Sequence, residues 1–126
     1  MTNSLALVIE DDPKLATIFS LALQAVEFEA EIVSDGHAAL ARLAEVIPSV
    51  VVLDLHLPGL TGREILRHIR ADERLAKTQV MLATADALMA EHLRSEADLV
   101  LLKPIQIDQL QQLAIRLQSV SESAVN

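Results

Sequence analysis

Acidic side chains, a threonine and a lysine follow four of the short apolar runs in this chain. Glu10 and Asp11 come directly after the first run, and Asp54 follows the third. Thr84 and Lys103 come at the ends of the fourth and fifth. Two carboxylates about 5 Å apart repel by roughly 3 kcal/mol at an effective dielectric near 20, and a hard cation removes that cost. Because the ligands are all oxygen, Mg²⁺, Mn²⁺ or Ca²⁺ is favoured over zinc.

The same residues suit chemistry on phosphorus. An aspartate such as Asp54 can attack phosphorus without a general base, because a carboxylate is ionised at neutral pH. Phosphoryl transfer then depends mainly on positioning and on neutralising the three equatorial oxygens. A metal ion would take one oxygen, the Lys103 ammonium another, and the Thr84 hydroxyl or a backbone N–H the third. These residue types therefore predict a site that receives a phosphoryl group on Asp54.

The elements that must position these side chains follow a regular pattern. Runs of Val, Ile and Leu without alternation predict strands buried on both faces of a parallel sheet. Stretches with apolar residues at helical spacing lie between them, which predicts five β-α units with helices on both faces of the sheet. Asp12 and Pro13 are typical of a helix N-cap and first helical residue, and Pro48 is predicted to end the second helix. The predicted strands are Leu5–Ile9, Ala30–Val33, Val50–Leu53, Val80–Ala83 and Leu99–Leu102.

The order of the strands decides whether the candidate residues meet. In open α/β sheets, ligands bind beyond the carboxyl ends of the strands, at the point where the strand order reverses. If the order is 2-1-3-4-5, the first and third strands are neighbours and bring Glu10, Asp11 and Asp54 to one crevice. The fourth and fifth strands then bring Thr84 and Lys103 to the same rim.

Length and composition restrict the class of protein. The chain has 126 residues, of which 52% are hydrophobic and 22% charged, so we expect one folded domain at 1–120 and a flexible tail at 121–126. Ten basic and eighteen acidic residues give a net charge of −8, which argues against nonspecific nucleic-acid binding. The absence of cysteine suits a reducing cytoplasm. No apolar run approaches the roughly 20 residues that cross a bilayer, so we expect a cytoplasmic protein without membrane insertion.

The motifs carry a resemblance to a known family. The chain resembles the receiver domain of two-component response regulators along nearly its whole length. The matching segments are Leu7–Asp12, Asp54–Gly62, Thr84–Ala85 and Lys103–Pro104, in the expected order and each at a predicted strand end. The resemblance implies a flavodoxin-like, doubly wound α/β fold like that of the chemotaxis regulators.

The resemblance also implies roles for the acids. Asp54 corresponds to the phosphoacceptor, Asp11 to a direct ligand of Mg²⁺ (or Mn²⁺), and Glu10 to an acid that acts through water. The backbone carbonyl of His56, two residues after the acceptor, corresponds to a further metal ligand. In this family the positions two past the acceptor and two past the threonine influence the lifetime of the aspartyl phosphate. Here those positions are His56 and Asp86.

Thr84 resembles the hydroxyl that moves toward the phosphoryl group, and Lys103 resembles the lysine that pairs with it. The peptide bond between Lys103 and Pro104 is often cis in the family. The sequence departs from the pattern at Val100, where the family usually has Tyr or Phe three residues before the lysine. That aromatic side chain normally swings inward when the threonine moves, and Val100 cannot report the switch in this way.

The implied function is a phosphorelay signalling module. It would accept a phosphoryl group from a sensor histidine kinase or a histidine phosphotransfer protein. It would catalyse only its own phosphorylation and dephosphorylation, and would pass the signal to an unknown effector without contacting nucleic acid directly. A phosphorylation-dependent homodimer is compatible with the family.

Two alternatives remain. An aspartate-nucleophile phosphatase usually carries a second Asp where His56 stands, which counts against that reading. A phosphorylation-independent interaction module on the same fold is favoured slightly by Val100 and opposed by the intact acids, Thr84 and Lys103.

Overall fold

The computed structural model describes residues 3–123, which form a parallel five-stranded sheet with helices on both faces. The strands are β1 (Leu5–Ile9), β2 (Glu29–Val33), β3 (Val50–Leu53), β4 (Gln79–Thr84) and β5 (Leu99–Leu102). The helices are α1 (Pro13–Ala25), α2 (Gly36–Leu43), α3 (Gly62–Ala71), α4 (Ala87–Leu93) and α5 (Ile107–Ser123), with a 3-10 turn at Glu73–Leu75. The strand order is β2-β1-β3-β4-β5, so the predicted doubly wound fold is confirmed.

Two apolar cores hold the sheet between its helices. Ala6 and Val8 of β1 face the core under α1 and α5, whereas Leu7 and Ile9 face the core under α2, α3 and α4. The central strands β1, β3 and β4 are almost completely buried, which explains their uninterrupted apolar sequences. None of the helices described within residues 3–123 has the length and apolar character of a membrane span.

Helix α2 is shorter than the sequence predicts. It ends at Leu43 instead of continuing to Pro48, and Ile47 is 59% exposed. The guanidinium of Arg74 donates to the carbonyl oxygens of Leu43 and Val46 at 3.2 and 3.3 Å. These carbonyls are therefore satisfied by a distant side chain, and the helix can end before the proline.

The C-terminal helix is longer than expected. Helix α5 continues to Ser123, so residues 121–123 are helical, and the predicted tail at 121–126 stays a prediction for residues 124–126, which lie outside the described part of the chain. Its last turns are held to the start of β1. The Gln118 amide donates to the Ser4 hydroxyl at 2.7 Å, and the Ser4 hydroxyl donates to Glu122 at 3.1 Å. Ser121 is only 8% exposed.

Candidate functional site

Three acids meet at the carboxyl ends of β1 and β3. These strands are neighbours, and Ile9 pairs with Leu53, so the residues that follow them lie side by side. Glu10, Asp11 and Asp54 each place a carboxylate oxygen within 4.8 Å of the other two. Glu10 and Asp54 are 2% and 6% exposed, whereas Asp11 is open to solvent. The result is an acid pocket with one accessible side.

Lys103 reaches this pocket from β5. Its backbone N–H donates to the Thr84 carbonyl at 2.9 Å, which extends the β4–β5 pairing by one residue and places the lysine at the rim. The ammonium donates to Glu10 Oε1 at 2.6 Å and to Asp54 Oδ2 at 3.2 Å. The peptide bond to Pro104 is cis, as the resemblance implied. Lys103 therefore neutralises part of the charge of the acids.

Burial and pairing act against each other at this ion pair. Burial raises the pKa of Glu10 above its ordinary 4.5, although the hydrogen bond from Lys103 acts to lower it. Burial alone would lower the pKa of Lys103, but the hydrogen bonds to Glu10 and Asp54 hold it above its ordinary 10.5. The lysine is consequently cationic throughout the physiological pH range.

Thr84 lies fully buried at the end of β4, and it contacts the start of α4. Its hydroxyl oxygen accepts the backbone N–H of Asp86 at 3.1 Å. The Asp86 carboxylate is the N-cap of α4, because it accepts the N–H of Met89 at 2.9 Å. This bond, followed by the contact with His56, lowers the pKa of Asp86 below its ordinary 3.8.

His56 and Asp86 form a pair at the mouth of the pocket that sequence reasoning did not anticipate. His56 Nε2 lies 2.9 Å from Asp86 Oδ2, although the two residues are 30 positions apart. The sequence contains one indication that these positions matter: His56 stands two residues after Asp54, and Asp86 stands two residues after Thr84. The backbone N–H of His56 also donates to Asp54 Oδ1 at 3.3 Å. The assignment of the His56 carbonyl as a metal ligand stays a prediction.

Asp12 caps α1, as the sequence predicts, and does not belong to the acid cluster. Its carboxylate accepts the N–H groups of Lys14 at 2.9 Å and Leu15 at 3.3 Å, and Pro13 is the first helical residue. The backbone N–H of Asp12 donates to Glu10 Oε2 at 3.1 Å. The start of α1 thereby helps to orient one of the buried acids.

Gly62 lets α3 begin directly against the backbone of the candidate acceptor. The N–H of Gly62 donates to the Leu55 carbonyl at 3.0 Å. A Cβ atom at Gly62 would overlap the carbonyl oxygen of Asp54 and would lie 2.6 Å from Leu55 Cα. No flexible side chain stands there to move aside, so the close approach requires glycine.

Replacing Gly62 with alanine is expected to lower the free energy of unfolding by about 3 kcal/mol, because the backbone carrying Asp54 must shift. Gly59→Ala is the matched control. Gly59 has a positive φ of 79°, and the added Cβ would meet only the ring of His37. That change should cost about 1 kcal/mol. Urea denaturation of both variants measures the difference, and equal losses would refute the importance of the contact at Gly62.

Comparisons with known proteins agree with this geometry. The family profile described as "Response regulator receiver domain" matches residues 6–115. The DNA-binding response regulator MtrA of Mycolicibacterium smegmatis is 34% identical over 104 residues, which are 82% of this chain and 46% of that protein. The transcriptional regulatory protein TrcR of Mycobacterium tuberculosis is 34% identical over 106 residues, or 82% of this chain and 41% of that protein. The chain thus spans less than half the length of these relatives.

Solved structures with the same fold include two receiver domains. The receiver domain of the sensor histidine kinase PA1611 from Pseudomonas aeruginosa superposes with a TM-score of 0.85 and 26% identity, over 94% of this chain and 99% of that one. That structure has a magnesium ion coordinated in its active-site cleft. The signal receiver domain of a LuxO repressor protein from Vibrio parahaemolyticus gives a TM-score of 0.89 and 25% identity, over 97% of this chain and 95% of that one.

Proposed function

Because this chain belongs to the family of response regulator receiver domains, we propose that it gates a two-component signal by accepting a phosphoryl group on Asp54. The observation that carries the proposal is the pairing of a half-buried lysine with two buried acids beside an exposed third. Lys103 donates to both Glu10 and Asp54, and a carboxylate oxygen of Asp11 lies within 4.8 Å of one from each of these acids. This arrangement supplies a nucleophile, positive charge and a set of oxygen ligands in one pocket.

The proposed reaction is an in-line transfer to the Asp54 carboxylate. One Asp54 oxygen forms the new P–O bond as the P–N bond of a phosphohistidine breaks, and the electron pair remains on the imidazole nitrogen of the donor. The Lys103 ammonium donates to one phosphoryl oxygen, and the Thr84 hydroxyl, now next to Asp86, donates to another. The product is an aspartyl phosphate, which water later hydrolyses. The domain therefore alters only its own phosphorylation state.

Glu10, Asp11 and Asp54 fit Mg²⁺ (or Mn²⁺), because all three offer carboxylate oxygens and hard divalent cations prefer such ligands. We propose the His56 carbonyl as a further ligand. The magnesium ion in the active-site cleft of the PA1611 receiver domain supports a divalent cation at the acid cluster. When bound, the ion neutralises the clustered carboxylates and one phosphoryl oxygen.

The partners belong to the same proposal. The donor is a sensor histidine kinase or a histidine phosphotransfer protein in the cytoplasm, and an effector reads the phosphorylated state. The DNA-binding response regulator MtrA is more than twice as long as the region that matches this chain. Its DNA-binding activity is therefore not assigned to this chain. A phosphorylation-dependent homodimer stays a prediction. The phosphatase alternative gains no support, since a histidine stands at position 56, where such enzymes usually carry the second Asp.

Intact-mass spectrometry after incubation with acetyl phosphate and Mg²⁺ tests the proposal. We expect one added phosphoryl group, lost when EDTA removes the metal, and no addition to Asp54→Asn. The matched control is Asp35→Asn, which changes a carboxylate that caps α2, a position where asparagine serves equally well. This control should be phosphorylated like the wild type. A folded, metal-bound wild type without an adduct would instead favour the phosphorylation-independent module.

A further inference from the structure

Helix α3 carries a net positive charge, although the whole chain is acidic. The chain has a net charge of −8, yet the ten residues of α3 contain three arginines and a single acid, Glu64. Arg70 is committed to the fold, because it donates to Asp98 at 2.6 Å and to two backbone carbonyls. Arg63 and Arg67 are exposed and lie one helical turn apart on the same side. They form a small basic surface on an acidic protein.

These two arginines border a groove between α3 and α4, here called the α3–α4 groove. Two adjoining cavities of about 430 and 360 Å³ make up the groove, and both are lined by Arg63, Arg67 and Met89. The first cavity reaches the buried side chain of Leu55, and the second reaches that of Leu93. The groove therefore combines apolar side chains with a wall that carries two arginines, and His56, Thr61 and Glu64 also line its first cavity.

The acids near the groove leave this positive charge available. The Glu64 carboxylate faces the start of its own helix, where it accepts the N–H and the hydroxyl of Thr61 in a capping box. Glu96 approaches Arg67 only to 3.6 Å, and both side chains are about a third exposed or more, so the pair is weak. Arg63 forms no ion pair with any residue among 3–123.

We propose that the α3–α4 groove docks an acidic amphipathic helix of a partner protein. Two carboxylates one turn apart on such a helix match the spacing of Arg63 and Arg67, and an apolar side chain between them would pack on Met89 and Leu93. Long polyanions such as nucleic acid fit poorly, because the net charge of the domain repels them beyond the local surface. Neither cavity of the groove is lined by Glu10, Asp11, Asp54 or Lys103, although His56 borders both the groove and the acid pocket. The inference therefore goes beyond the proposed function.

Nuclear magnetic resonance of the ¹⁵N-labelled full chain tests the proposal with a synthetic peptide. The probe is an alanine-based helix with Glu at i and i+4 and Leu at i+3, so that all three side chains lie on one face. The matched peptide carries Gln in place of both Glu residues. We expect amide shifts at Met89 and Leu93, and an affinity at least about tenfold higher for the Glu peptide. Reversing both charges with Arg63→Glu and Arg67→Glu should remove that preference.

The control variant is Arg116→Glu, an exposed arginine on α5, which covers the opposite face of the sheet. It should bind the Glu peptide like the wild type. Arg63→Gln, which removes one charge without reversing it, gives a milder test if the double variant fails to fold, and it should bind several-fold more weakly. Equal affinity for both peptides, shifts confined to other surfaces, or equal weakening by Arg116→Glu would overturn the proposal. None of these readings requires phosphorylation, so failure here and failure to phosphorylate Asp54 are distinguishable.

Discussion

Replacing Lys103 with methionine is expected to lower the free energy of unfolding by about 3 kcal/mol at pH 7 in EDTA. The ammonium is the cation that donates to the buried Glu10 and Asp54 carboxylates, at 2.6 and 3.2 Å. Methionine keeps much of the length and packing of the side chain but leaves two buried acids without their positive partner. Removing one member of a buried ion pair costs more than the pair itself contributes, because the remaining charge stays desolvated.

The loss in the methionine variant should depend on pH in a defined direction. Burial already raises the pKa of Glu10 in the folded protein, and removing Lys103 removes the contacts that lower it. A carboxyl group whose pKa is higher folded than unfolded binds its proton more tightly in the folded state. The deficit is therefore largest at neutral pH, and it shrinks as the pH falls toward the ordinary Glu value of 4.5. Urea unfolding at several pH values measures this trend.

Metal and phosphorylation give two further measurements on the same variant. Mg²⁺ should raise the free energy of unfolding of Lys103→Met by more than it raises that of the wild type, since a bound cation replaces the missing positive charge. Phosphorylation by acetyl phosphate should slow by about 100-fold, the typical cost of losing one donor to a reacting oxygen. Lys77→Met, at an exposed lysine remote from the pocket, should change stability by less than about 0.5 kcal/mol. A Lys103→Met protein as stable as the wild type in EDTA would contradict the ion-pair argument.

Replacing Asp11 with asparagine is expected to weaken Mg²⁺ binding by at least roughly 10- to 100-fold. Loss of a residue that only supports a metal ligand already has an effect of this size, and Asp11 is proposed as a direct ligand. Asp11 is the exposed member of the three-acid cluster, so its carboxylate contributes little to the fold. Stability in EDTA should therefore not fall, and it should rise because one of three mutually repelling carboxylates is removed. Phosphorylation should become almost undetectable at a Mg²⁺ concentration that saturates the wild type. Thermal shift and calorimetric titration with Mg²⁺ measure the affinity.

Asp12→Asn is the matched control, because it changes the adjacent acid by the same substitution. Asp12 caps α1 through the N–H groups of Lys14 and Leu15, and asparagine caps as well as aspartate does. Mg²⁺ affinity and phosphorylation should therefore both be retained. If Asp12→Asn weakened metal binding as much as Asp11→Asn, the assignment of Asp11 as the direct ligand would be wrong.

The departure at Val100 changes how the pocket connects to the surface. Val100 pairs with Leu82 across β4 and β5 and packs against the core below α4. An aromatic side chain at this position is not needed for contact between Thr84 and α4. The hydroxyl oxygen of Thr84 accepts the N–H of Asp86, and the Asp86 carboxylate caps that helix. A hydrogen-bonded link therefore joins the pocket to one wall of the α3–α4 groove.

The sequence by itself determined the fold and the membership of the acid pocket. Buried parallel strands require uninterrupted apolar runs, and the five runs locate all five strands to within one residue at either end. Residues that follow such strands must lie at one edge of the sheet. Glu10, Asp11 and Asp54 could therefore be grouped once the strand order was assumed. The cap at Asp12 was equally accessible, because a capping bond joins residues two or three positions apart.

Only the tertiary structure decided the contacts between side chains from separate elements. Lys103 is 93 residues from Glu10, and His56 is 30 residues from Asp86. The bond from Arg74 that helps α2 to end early spans 31 positions. Glycine is required at Gly62 because α3 packs against the Asp54 backbone there and leaves no room for a Cβ atom. Such contacts leave no periodic signal in the chain, because they depend on how independently formed strands, helices and loops pack, and not on the conformation of neighbouring residues.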